Sequence, residues 1–125
     1  MVQAKFAFIK LIVGDLAGEQ RFYEQAFGFT ERGRFETAAF DEVILGQDGV
    51  DVTLMLLCYT DGRPLPDARV HGPTGFATDD IEIAHAVCVA AGASAKGPVL
   101  VVEGGIKVAL LDDPEGHEIE LCQFG

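Results

Sequence analysis

Residues Phe8-Ile9-Lys10-Leu11-Ile12-Val13-Gly14-Asp15-Leu16 read as an apolar strand that ends in an aspartate, and residues 19–27 follow as a helix closed by Gly28. Asp15 suits the N-cap, where a carboxylate accepts hydrogen bonds from the free N–H groups of the first turn. Gly28 suits the left-handed position after the last turn, where a Cβ would be strained. Phe22/Ala26 and Tyr23/Phe27 are spaced four apart, so each pair lies on one face, ready to cover a sheet.

The same plan returns in the second half. Pro73-Thr74-Gly75-Phe76-Ala77-Thr78-Asp79-Asp80-Ile81 supplies a strand and cap, and residues 82–91 supply a helix with Ile83, Val87 and Ala91 recurring at four-residue steps. Gly92 is its stop. Asp15 corresponds to Asp80 and Gly28 to Gly92, at a separation of about 65 residues. Three strands are expected after each helix: residues 29–37, 42–45 and 52–59, then 94–102, 106–111 and 117–124. Asp113-Pro114-Glu115-Gly116 places Pro and Gly where a type I turn wants them. Residues 61–72, rich in Gly, Pro and Asp, form the linker between a module of about 5–60 and one of about 73–125. An internal repeat of one βαβββ unit predicts a single α+β domain whose two mixed sheets curl into a cup-like pseudo-barrel.

A length of 125 residues suits one domain. Acidic residues number 20 against nine Lys and Arg, and the net charge of −11 disfavours nucleic acid and anionic membranes as partners. No apolar run approaches a membrane span. The N-terminus has none of the regions of a signal peptide, so a cytoplasmic protein is expected. Cys58, Cys88 and Cys122 are odd in number and widely spaced, which argues against a disulfide framework or a structural zinc cluster of cysteines.

At Asp15-Leu16, Phe22-Tyr23, Gly28-Phe29, Phe76, Asp79-Asp80, Ala91-Gly92-Ala93 and the closing run Asp113-Pro114-Glu115-Gly116-His117-Glu118-Ile119-Glu120-Leu121, the chain resembles the vicinal-oxygen-chelate superfamily. That superfamily includes glyoxalase I, bleomycin-resistance proteins and extradiol dioxygenases. The resemblance covers essentially the whole chain and implies that fold. Its metal-dependent members hold a divalent ion with four inward side chains, His or Gln, Glu, His and Glu. Carried over, those positions fall on Phe8, Leu56, Pro73 and Glu120. Only Glu120 offers a donor, so no metal and no other cofactor is expected in the cup.

The resemblance then implies a small-molecule binder, probing a largely apolar organic ligand in the cup of a homodimer, in the manner of bleomycin-resistance proteins. Phe8, Leu54, Leu56, Cys58, Phe76 and Cys122 are the expected ligand-binding residues, since an apolar wall with few polar groups is the usual form of such a site. The alternative is a lyase, isomerase or dioxygenase-like enzyme of the same superfamily, either metal-free with Glu120 and Lys10 carrying the chemistry or with non-standard ligands. Lys10 shares its strand phase with Phe8 and Ile12, which puts it on the cup side, where pairing with Glu120 is expected. His117 falls on the opposite face of its strand from Glu120 and is expected at the surface of the turn. His85 reads as solvated, and His71 lies in the linker close to Pro73.

Overall fold

The computed structural model describes residues 2–125. The elements run β1 (Phe8–Ile12), α1 (Leu16–Phe27), β2 (Thr30–Glu36), β3 (Phe40–Gly46), β4 (Thr53–Tyr59), then β5 (Thr74–Ala77), α2 (Ile81–Ala91), β6 (Ser94–Ala95), β7 (Leu100–Val101), β8 (Lys107–Asp112) and β9 (Glu118–Gln123). The first sheet has the order β1-β4-β3-β2 and the second β5-β9-β8-β6, with β7 also paired to β8. In each sheet the strand before the helix lies parallel to the last strand, β1 on β4 and β5 on β9, and the remaining pairs are antiparallel. The doubled βαβββ plan is therefore present, and the two sheets do not close into one barrel within the chain.

The caps form as their residues require. Asp15 accepts from the Gly18 N–H at 3.0 Å and Asp80 from the Ile83 N–H at 3.2 Å. Gly28 takes a φ of 69°, and nothing lies within 4 Å of a carbon added there. Gly28→Ala should then cost about 1 kcal/mol from backbone strain alone, and a denaturant titration of the purified variant checks it.

Two expectations need correction. The first strand after α2 is not continuous over 94–102: it survives as β6 and β7, interrupted by Lys96-Gly97-Pro98-Val99. Gly97 takes a φ of 134° and Pro98 has no N–H to give a ladder, which explains the gap. On α2 the buried stripe is Ile81, Ala84 and Cys88, whereas Ile83 and Val87 are exposed. This helix is apolar on two stripes, so periodicity alone did not choose between them. Helix α1 buries Phe22 and Tyr23 as expected, with Ala26 and Phe27 packed on the core.

One hydrophobic cluster joins the modules. It contains Leu11, Val13, Val43, Leu45, Leu54 and Leu56 from the first sheet and Ala109, Leu111, Ile119 and Leu121 from the second, with the helices on top. Because side chains alternate across a strand, the opposite faces of both sheets are left free of helix. No helix among the described residues is long and apolar enough to cross a membrane.

Candidate functional site: an open sheet face and a buried junction

The strand registers decide which side chains share the helix-free face. On the first sheet Lys10 pairs with Met55, Ile12 with Leu57 and Phe8 with Thr53, and β3 sets Ile44 beside Met55 and Glu42 beside Leu57. That face therefore carries Phe8, Lys10, Ile12, Met55, Leu57 and Tyr59. On the second sheet Gly75 pairs with Glu120 and Ala77 with Cys122, and Leu110 lies across from Glu120. Phe8, Phe35 and Leu110 remain 46 %, 53 % and 38 % exposed, high for large apolar residues facing one side of a sheet.

Lys10 Nζ lies 2.9 Å from Glu42 Oε2, though the pair is poorly aligned as a hydrogen bond. It also sits 5.4 Å above the Phe8 ring. The expected partner was Glu120, but Glu42 reaches Lys10 because β3 and β1 both flank β4. Glu120 instead accepts from the Cys122 thiol at 3.3 Å.

Phe8, Lys10, Glu120 and Cys122 are thus on the open face, as expected. Leu54 and Leu56 are not: they are 4 % and 0 % exposed and pack beneath the helices. Cys58 shares their phase, and its Sγ lies 3.6 Å from the Gly14 carbonyl. Phe76 also faces the helices, its ring stacked on Phe27 at 3.8 Å. The error was one residue of strand phase, which moves a whole strand to the other face. Leu54 and Phe76 meet instead at an apolar notch of about 180 Å³, lined also by Ile9, Phe29 and Val52 and by no ionisable group.

The registers also revise the metal positions. Lys10 stands opposite Met55 as Gly75 stands opposite Glu120, so Met55, not Leu56, is the counterpart of Glu120. Phe8, Met55, Pro73 and Glu120 still supply one carboxylate and a soft thioether, which do not fit the hard oxygen and imidazole set of a divalent ion there.

A second constellation was missed by the sequence reading. The Asp113–Gly116 turn, closed by a 3.0 Å bond from the Gly116 N–H to the Asp113 carbonyl, plugs into the first module. Glu115 accepts from the Gly14 and Asp15 N–H groups, both at 2.7 Å. Asp113 Oδ2 accepts from the Tyr23 hydroxyl at 2.9 Å, and its Oδ1 from the Glu115 and His117 N–H groups, each at 2.9 Å. His117 is 2 % exposed. The surface placement fails because its Nε2 reaches the Ile12 carbonyl of β1 at 3.1 Å. A carbonyl only accepts, so Nε2 carries a proton, and Nδ1 then faces Asp113 at 3.1 and 3.2 Å.

Glu19 lies in the same buried space, 4.0 Å from His117 Nδ1, and neither of its oxygens has a donor. Burial, then the hydrogen bond and charge of Asp113, push its carboxyl up to about 10; protonated, it donates to Asp113. Burial would also raise Asp113, but its bonds to His117 and Glu19 outweigh that and hold it well below the usual range. Burial would lower His117, and the Asp113 bond and charge reverse this and raise it. The available signal was Glu19 itself, a charged residue on the buried Tyr23/Phe27 stripe of α1.

Comparison with known proteins agrees with the architecture. A model of the Glyoxalase/Bleomycin resistance protein/Dioxygenase superfamily matches residues 5–121, and the chain belongs to that superfamily. Among solved structures it is similar to a glyoxalase family protein from Bacillus cereus, at 17 % identity and a TM-score of 0.83 over 100 % of this chain and 99 % of that one. It is similar to TnmS3, an antibiotic binding protein from Streptomyces sp. CB03234, at 22 % identity and a TM-score of 0.77 over 100 % and 99 % of the two chains. A glyoxalase I mutant from Zea mays matches at 21 % identity and a TM-score of 0.82, over 94 % of this chain; the chain spans only 45 % of that protein. At these identities the likeness shows the fold. No curated protein matches.

Proposed function

We propose that this protein binds a small, largely apolar organic molecule on the open sheet face, without a metal ion in the cup, and that it works as a homodimer. The observation that carries this reading is the exposed apolar side chains on the faces free of helix, Phe8 and Phe35 on the first sheet with the Lys10–Glu42 pair and Leu110 on the second beside Glu120. Ligand sites have this form: mostly apolar walls with a few converging polar groups. The notch at Phe76 lacks ionisable groups. The antibiotic-binding relative supports a binding role on this fold. Three free thiols suit a cytoplasmic setting.

The enzyme alternative rested on Glu120 acting with Lys10, and Lys10 is engaged by Glu42. Binding is therefore favoured over catalysis. A thermal-shift screen of hydrophobic and cationic small molecules tests it, since a ligand that binds only the folded state raises Tm. A stabilising compound is expected, and a broad library without one would overturn the reading. Phe8→Ala should weaken the hit at least about tenfold, close to 1.4 kcal/mol, with little loss of stability. Leu56→Ala should do the reverse, costing about 3 kcal/mol through a core cavity while the folded protein still binds.

A further inference from the structure

We infer that Glu19, Asp113 and His117 form a buried site for one divalent transition-metal ion of the zinc class, which would staple the first module to the second. Their donor atoms lie within 4.8 Å of one another, and all three residues are buried. His117 Nδ1 is 3.1 Å from Asp113 Oδ2 and 4.0 Å from Glu19 Oε2. Those separations bracket the edge of about 3.3 Å expected between ligands of a tetrahedral ion with bonds of 2.0–2.1 Å.

Two further observations point to a cation. Glu19 is 1 % exposed and no donor reaches either of its oxygens, and a buried carboxylate without a donor is costly unless it finds a proton or a metal. The Nε2–H bond from His117 to the Ile12 carbonyl fixes the imidazole so that Nδ1 is the nitrogen turned toward the carboxylates. Metal-binding histidines are commonly oriented by such a bond on the other nitrogen. One oxygen each from Glu19 and Asp113, with His117 Nδ1, gives three protein donors, and a water would complete a tetrahedral ion.

One divalent ion with both carboxylates ionised and a neutral imidazole leaves the cluster neutral. Glu19 belongs to α1 and the other two ligands to the β8–β9 turn, so the ion would cross-link the modules, away from the open-face positions that do not fit a metal. This site is independent of the ligand proposed for the cup.

The test uses full-length protein stripped by a chelator with mild denaturant and refolded. Zn²⁺ titration should show one ion per chain and a rise in Tm of about 10 °C at a hundredfold excess over Kd. Co²⁺ should give the visible absorption of a four-coordinate ion. Glu19→Gln, which keeps the side-chain shape, should weaken binding at least about a hundredfold, and Glu120→Gln should leave it unchanged. His117→Gln provides a second ligand variant. Failure of the stripped wild-type protein to bind, or equal binding by the Glu19 and His117 variants, overturns the proposal. Loss of binding with Glu120→Gln alone would also overturn it by placing the metal in the cup.

Discussion

Asp113→Ala is expected to destabilise the metal-free protein by about 4 kcal/mol or more. One side chain holds the Tyr23 hydroxyl, two turn N–H groups and the His117 ring, all in a buried space. Removing it leaves several donors unpaired at once, each costing about 1–3 kcal/mol, and takes away the carboxylate that faces the His117 ring. A domain of this size has about two to three times that stability in total, so Tm should fall by more than about 10 °C. Asp113→Asn keeps an acceptor and should lose less. A Tm for Asp113→Ala within a few degrees of wild type would mean that the turn is not the junction between modules described above.

Glu19→Gln should have the opposite sign at alkaline pH. The Glu19 carboxyl is raised from an ordinary 4.5 to about 10, first by burial and then by Asp113. The folded protein therefore binds a proton that the unfolded chain gives up above its ordinary pKa. That contribution to stability is fully present below about pH 4.5 and is lost as pH rises toward 10. A neutral amide does not titrate and can still donate to Asp113. In metal-free protein the variant should match wild type near pH 5 and exceed it by on the order of 3 kcal/mol at pH 8. Denaturant titrations at the two pH values measure it. A gain that is the same at both would show that Glu19 is not held protonated by its surroundings. His117, also raised, makes the same wild-type trend steeper, whereas Asp113, held low, contributes stability that is lost only in acid.

The fold was legible because the repeat is carried by local chemistry. Asp15 and Asp80 cap the helices and Gly28 and Gly92 end them, and these residues act within a few positions of themselves. The site was less legible because its error was one of strand phase. Leu54, Leu56 and Met55 are all apolar, so hydrophobicity does not say which parity faces the helices; the pairing of Lys10 with Met55 does. The 65-residue offset that matches Asp15 to Asp80 also matches Met55 to Glu120, and applying it at β4 would have corrected the face. The buried junction depends on contacts about 100 residues apart, such as Glu115 with Gly14. Local pattern could flag Glu19 as a misplaced charge on a buried stripe, but it could not supply Asp113 and His117 as its neighbours.

The central claim is that the cup binds an apolar molecule without a metal ion of its own. It is tested most directly by calorimetric titration of the strongest screening hit into chelator-stripped protein, repeated after adding Zn²⁺, Mn²⁺, Ni²⁺ or Fe²⁺. The account predicts binding to the stripped protein, with Kd weakened at least about tenfold by Phe8→Ala and unchanged by Glu120→Gln in its dependence on metal. Binding that appears only when a metal is added, and disappears with Glu120→Gln, would contradict it.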